Sequence, residues 1–443
     1  MGLAKILHYG FLAFVFLLPF QTVFLWREPF VQGEKWQYGT IGVYAVDILL
    51  VVILGGALFL WREGVAYRVS RIKYGVTEVA MILLVAWVGI SIAWAPDPLL
   101  AGYFFLKLLL GAGIFFVTRS FDSLIIKKIV FTLLLAGALQ SGIGIAQFLS
   151  QQSWNSTLFG MSAHELWQAG SSVLKIESGR FLRAYGTFPH PNMLGGFLAV
   201  VFVLGVAYQV LRMKEIGRGY RITRIVGLLI VFLGLILTFS RTAWIGAVVS
   251  LCVLGGLVFW QKERDARRHF SKALLVFLLA GGVFGTILSP YIFPRFDGAV
   301  IEREGSVSER MQSLYDAKTV MDQTPLFFGT GAGNFTERLL YFEGDRPVWT
   351  LQPVHNVLVL VLAEIGVIGL FLWFLFLGTI LLSWKRYLTL QKSQSVRVIF
   401  AIALLALVPS LFLDHWLWSS HFGLFFLFLL LGLSQSKDEN TAN

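Results

Sequence analysis

Apolar runs of membrane-spanning length recur along this chain, and that repetition restricts its fold more than any single motif does. A helix needs about 20 mostly apolar residues to cross ~30 Å of hydrocarbon. Runs of this kind fall at 7–26, 41–61, 74–95, 99–118, 124–149, 192–211, 225–240, 242–260, 273–289, 354–384, 398–413 and 416–433. Charged residues form 14% of the 443-residue chain, about half the share of a soluble domain, and they gather between the runs. The expectation is an all-α polytopic integral membrane protein, a single membrane domain over 1–443 with about 12 transmembrane helices. A soluble enzyme, a disordered chain and a fibrous repeat are excluded.

The charges also predict an orientation. No small-residue cleavage site precedes Phe24-Leu25-Trp26-Arg27, so the first run reads as an uncleaved helix rather than a signal peptide. With the N-terminus inside, the cytoplasmic segments carry 23 of the 36 Lys and Arg residues, and the four short outer connections carry 3. That is the positive-inside pattern. Both termini are expected in the cytoplasm, and the net charge of +11 needs no nucleic-acid partner. The lone Cys252 excludes an intrachain disulfide and a Cys-based metal site.

Two long loops then lie outside, at 150–191 and 290–353. In the second, Ser306-Val307-Ser308-Glu309 reads as a capping box. Apolar Met311, Leu314, Val320 and Met321 follow at helical spacing until Pro325, which predicts an amphipathic helix over 307–322. No internal repeat of the kind that marks many transporters is present.

Several residues could do chemistry at the outer face. Arg241 stands between two apolar runs at the start of a helix. It is placed either to grip an anion through a bidentate fork or to anchor in lipid headgroups. Arg310 opens the amphipathic helix, where taken alone it reads as a solvated charge pairing with Glu309 or Glu302. His355, after Pro353 at the outer start of a span, suits either proton transfer near neutral pH or a structural hydrogen bond. His415, beside Asp414, carries the same two readings. Lys107 lies about eight residues into a span, roughly 12 Å deep by helix rise, and should snorkel or face a polar cavity. Gln140 and Gln147 share a helical face, fitting either a wet groove or interhelix hydrogen bonds. Gly329-Thr330-Gly331-Ala332-Gly333-Asn334 looks like a phosphate loop but lacks the third glycine and the flanking strand of the dinucleotide pattern. Glu302 and Glu304 could hold a metal, although the arginine between them favours ion pairing.

Four segments together resemble one family. They are Ser240-Arg241-Thr242-Ala243-Trp244; Ser308-Glu309-Arg310-Met311 leading to Pro325 and Gly329-Thr330-Gly331; His355-Asn356-Val357-Leu358 continuing through Glu364-Ile365-Gly366 and Gly369-Leu370; and Gly186-Thr187-Phe188-Pro189-His190-Pro191-Asn192. Their order and loop placement, over roughly 180–370, resemble the O-antigen ligase and polymerase superfamily. The resemblance implies a GT-C-like membrane glycosyltransferase in a bacterial inner membrane, with its active site on the periplasmic face. Such an enzyme moves a glycan from a polyprenyl-diphosphate carrier to an acceptor hydroxyl, without cofactor or metal and with inversion. It implies further that Arg241 and Arg310 hold the diphosphate, that His355 is the general base, and that Lys107 and Arg183 add cations to the same pocket. The lack of an outer Asp-x-Asp pair fits that metal-free chemistry.

The implied partners are the lipid-linked glycan donor, a glycan or glycolipid acceptor, and membrane lipid. Lipid A-core ligation is the nearest pattern, with a polysaccharide polymerase or a protein O-oligosaccharyltransferase as the alternatives within the superfamily. A lipid-linked sugar transporter or flippase is the rival of another class. Transport sites lie near the midplane between repeats, whereas Arg241, Arg310 and His355 all fall at one face.

Overall fold

The computed structural model describes residues 2–62, 75–168, 170–212, 220–296, 306–389 and 395–436. Glu302 and Glu304 fall outside the described residues. Among the described residues, nine long helices come first: α1 (Gly2–Leu17), α2 (Ala45–Arg62), α3 (Val76–Ser91), α4 (Pro98–Arg119), α5 (Ser123–Ser150), α6 (Pro191–Leu211), α7 (Tyr220–Leu237), α8 (Arg241–Trp260) and α9 (Arg264–Ile287). In the long loop, the described residues form α10 (Ser289–Ile292), α11 (Ser306–Asp322) and α12 (Phe335–Glu343). The last group is α13 (Val357–Thr389), α14 (Val396–Leu405), α15 (Val408–Leu413), α16 (Trp416–Ser419) and α17 (His421–Leu433).

Among the described residues, eight helical stretches are long and apolar enough to cross a membrane, and four shorter apolar helices accompany them. The chain is a polytopic membrane protein. Its axis is α6, whose apolar window is 94% buried, whereas α9 at 6% is left facing the surroundings. Around that axis α8 and α14 pack on α6, α5 on α7, α4 on α17 and α3 on α13. Small residues permit the closest approaches. A Cβ on Gly195 would stand 2.9 Å from the Ser240 Cβ and 3.0 Å from that of Ala243, so glycine lets the starts of α6 and α8 touch.

Three departures from the sequence reading have local causes. The first run, expected as a span over 7–26, is helical only to Leu17; Val23–Arg27 is a strand, β1, paired antiparallel with β4 (Ile41–Tyr44). Pro19 ends the helix, and β-branched and aromatic residues favour the extended chain beyond it. A minor hairpin, β2 (Phe30–Val31) with β3 (Glu34–Lys35), sits between them. The 150–191 loop holds another hairpin, β5 (Val173–Ile176) with β6 (Gly179–Leu182). The third departure is α11, which forms where expected but turns inward only Val320 and, in part, Met321 of its expected apolar residues. Ser313, Asp316, Ala317 and Val320 are buried, whereas Met311 and Leu314 are exposed. Its polar side has specific partners: Asp316 takes a two-pronged ion pair from Arg346, and Ser313 accepts from the His355 amide at 3.2 Å.

The glycine-rich loop is a clasp rather than a phosphate cradle. Thr330 and Gly331 amides donate to the Ala363 and Glu364 carbonyls (2.9 and 2.8 Å), and the Val367 amide donates to Leu326 O (3.0 Å). Helix α13 is kinked there, with Gly366 at φ 69°. A Cβ on Gly366 would collide with Phe327 O, and one on Gly329 with the Glu364 carbonyl group. Both positions therefore require glycine. The Glu364 side chain accepts from Trp418 Nε1 at 2.8 Å, which ties the same kink to α16.

Candidate active site

Five segment ends meet at the end of the bundle where both long loops emerge. They are the starts of α6, α8 and α13, the first turns of α11, and the turn joining α15 to α16. The α6 start is built first. Gln147 Oε1 accepts from the Tyr185 and Gly186 amides (3.1 and 2.8 Å), and its Nε2 donates to Gly186 O (2.8 Å). Gln140 binds the Thr187 amide at 2.9 Å. The two glutamines thus clamp the 185–187 backbone; they are interhelix hydrogen bonds, not the lining of a wet groove. Pro191 then starts α6, with the His190 ring accepting from the Asn192 amide at 3.1 Å.

Arg183 is the strut of this end. It is buried and donates to Thr238 O (2.7 Å), Ser172 Oγ (2.6 Å) and Asn192 Oδ1 (2.9 Å). Asn192 in turn donates to Asp414 Oδ2 at 3.0 Å. One continuous chain of hydrogen bonds therefore joins the turn before Arg241 to the α15–α16 turn.

Arg241 is the first residue of α8, behind the cap residue Ser240. It is half-buried and donates to Arg295 O at 2.9 Å, while Arg295 Nη2 donates to Phe239 O at 3.1 Å. Two guanidiniums thus share a helix N-terminus, where backbone amides already favour an anion. Below them an apolar cavity of about 200 Å³ opens among α6, α7, α8 and α9, lined by Phe202, Phe232, Trp244, Leu251, Gly281 and Gly285. Trp244 lies one helical turn beyond Arg241, so the cavity begins beside the cations.

Arg310 and His355 come together through α11. Ser313 Oγ accepts from the His355 amide and donates to Arg310 O (2.8 Å), and Arg310 Nε donates to Leu413 O (3.2 Å). Asn356 caps α13, accepting from the Leu358 and Val359 amides (2.9 and 3.1 Å). The His355 ring stands 5.1 Å from that of His415.

Burial lowers the His355 pKa from its ordinary 6.5; the Asp414 charge opposes the shift and Arg310 adds to it. Burial likewise takes His415 down to about 4, against the pull of Asp414. His190 falls to about 3 through burial and the Arg183 charge. Burial alone would raise the Asp414 carboxyl, but His415, His355 and His190 and the Asn192 hydrogen bond hold it below its usual range. At neutral pH these imidazoles are neutral, with a lone pair available for a proton.

Residues 226–374 match the family model described as O-antigen ligase. Over that segment the chain is similar to O-antigen ligases. The matched segment runs from α7 into α13 and takes in Arg241, Arg310 and His355. Lys107, Arg183, Asp414 and His415 lie outside it. No curated protein matches the chain.

Lys107 is placed elsewhere in its surroundings than beside Arg241. Its ammonium pairs with Asp47, which also accepts from His421 Nε2 at 3.0 Å, and the rings of Tyr44 and Tyr103 lie 5.0 Å from the Lys107 nitrogen. All three members of that group are buried. Arg183 does reach the site, as its strut. Sequence reasoning missed Asn192, Arg295 and Ser313. The His-Pro-Asn helix start was the available signal for the first, and only the fold brings the other two in.

Proposed function

We propose that this protein is a member of the O-antigen ligase family and a membrane glycosyltransferase of the ligase type, taking a glycan from a polyprenyl-diphosphate carrier to an acceptor hydroxyl at the outer leaflet. In this reading the end bearing the two long loops faces the periplasm, and both termini are cytoplasmic. The observation that carries the reading is the junction of a cationic helix start with an apolar cavity, at Arg241 and Trp244. A ligand that fills both has an anionic head and an apolar tail, which describes a lipid diphosphate.

The geometry supports the following roles. Arg241, with the α8 amides, grips diphosphate oxygens, and Arg310 approaches from α11; both stabilise charge as it develops on the leaving group. Neutral His355 takes the proton from the acceptor hydroxyl while that oxygen attacks the anomeric carbon. The bond from that carbon to the diphosphate oxygen breaks, and polyprenyl diphosphate leaves with the electron pair. Attack opposite the leaving group inverts the anomeric centre. Arg183 positions Asn192 and Asp414 and so holds the turns that carry the reacting groups. No step requires a metal.

The test is transfer from a lipid-linked glycan by the purified protein in detergent. Arg241→Ala should lower the rate by about 10²–10³-fold, the range for loss of one preorganised donor. Arg241→Lys should recover little, because an ammonium is not a two-pronged fork. Undiminished transfer by Arg241→Ala would overturn the assignment. In cells lacking the gene, long glycans stranded on the carrier with bare acceptor would mark a ligase. Single repeats on the acceptor would mark a polymerase instead.

A further inference from the structure

Two imidazoles and a carboxylate converge at the α15–α16 turn. The side-chain ligand atoms of His355, Asp414 and His415 all lie within 4.8 Å of one another. Asp414 and His415 are neighbours in sequence, but His355 arrives from α13, so the trio exists only in the fold. The supporting bonds leave ligand positions open. His415 Nδ1 is paired with Ser419 Oγ at 2.6 Å, which leaves its Nε2. Asp414 Oδ1 accepts from the His415 amide and Oδ2 from Asn192, and each carboxylate oxygen retains a second lone pair. Asn192 is itself held by Arg183. A metal-binding carboxylate is commonly oriented by such an outer partner.

We propose that His355, Asp414 and His415 form a binding site for Zn²⁺ or a similar borderline divalent transition ion, and that its occupation switches transfer off. Two neutral nitrogens and one carboxylate oxygen are the donor set of three-ligand zinc sites, with a fourth position left to water. Zinc–ligand distances of about 2.0–2.2 Å require the three side chains to draw in around the ion by rotamer adjustment. An ion there takes the His355 lone pair that would otherwise accept the acceptor's proton. The inhibitory half of the proposal rests on His355 being that base; the binding half does not.

The experiment uses the purified, metal-stripped protein in detergent, titrated with Zn²⁺ by calorimetry and with Co²⁺ as a spectroscopic probe. Wild type should bind one ion with tetrahedral Co²⁺ bands. His415→Ala and His415→Gln, each checked for an unchanged Tm, should lose those bands. Asn192→Ala should weaken binding by about 10–100-fold, the range for an outer-shell partner. Zn²⁺ should suppress wild-type transfer reversibly on chelation, while the residual transfer of His415→Ala should be the same with and without Zn²⁺.

Binding that persists unchanged in both His415 variants would overturn the site, and so would the absence of binding. Stoichiometric binding at the trio with undisturbed transfer would overturn the switch. If His355→Ala transfers normally, the reading of His355 as base fails, while the calorimetry still decides whether the site exists.

Discussion

Two aspartates in this molecule each have histidine beside them, and their neighbourhoods have opposite character. Asp47 is closed on itself: Lys107 and His421 both bond to it directly, and the Tyr44 ring stacks on His421 at 3.9 Å. Asp414 is held from behind by Asn192, while the His355 and His415 side chains gather near it without closing onto it. A satisfied buried cluster fixes helices; one whose members keep unused lone pairs is available to a ligand. The difference also follows position, since Asp47 and His421 in the first turns of α2 and α17 are tied to Lys107 midway along α4, whereas the Asp414 group has no mid-helix member and lies at helix ends between the loops.

The largest expected effects separate these two groups. Asp47→Ala strands a buried ammonium and should cost about 3–5 kcal/mol of stability, as loss of one partner of a buried pair does. It should appear as a marked fall in Tm and in yield. His355→Ala should leave Tm where it is and lower transfer by about 10²–10⁴-fold, the usual contribution of a general base. If the phenotypes are exchanged, with Asp47→Ala stable and His355→Ala unfolded, the comparison between a structural and a reactive group is wrong.

A middle-sized effect is expected at the clasp. Gly366→Ala puts a Cβ on a residue at φ 69° and into Phe327 O, so a loss of about 1–3 kcal/mol is expected from strain at such a position. Because His355 stands at the start of the same helix, transfer should fall as well. Gly285→Ala is the matched control. A Cβ there meets nothing within 4 Å, and α9 should gain slightly from alanine's helix propensity. Equal Tm values for the two variants would remove the clasp from the account.

The sequence shows some parts of this architecture plainly and hides others, for physical reasons. Long apolar runs carry their own helical signal, so the bundle was readable. Strand β1 was hidden because Val23-Phe24-Leu25-Trp26 is as apolar as a span, and only Pro19 separates the two outcomes. The α11 helix was visible from its capping box, but of its buried face only Val320 and Met321 were. That face is chosen by Arg346 and by the His355 amide, each thirty or more residues away. Arg241 and His355 stood out because a charge or an imidazole between apolar runs is costly and needs a reason. Asp414 drew attention only as His415's neighbour, since its connection to Asn192 spans more than two hundred residues.

The smallest effect is the sharpest probe of the Asp414 group. Transfer that depends on neutral His355 rises with pH as the imidazole loses its proton and then levels off. Burial places that limb below the ordinary 6.5. Asp414 pulls the His355 pKa upward, while Arg310 pushes it down; His415 and His190 share the same surroundings of Asp414. Asp414→Asn keeps a side-chain oxygen for Asn192 and removes the negative charge, so it should move the limb to lower pH. The measurement is kcat/KM over about pH 5–8, the range in which histidine titrates, with chelator present so that no ion occupies the trio. A shift upward, or a wild-type limb above 6.5, would assign the titration to another group and remove His355 as the base. The corresponding change at the closed cluster, Asp47→Asn, should lower Tm and leave the pH limb of the active protein where it was.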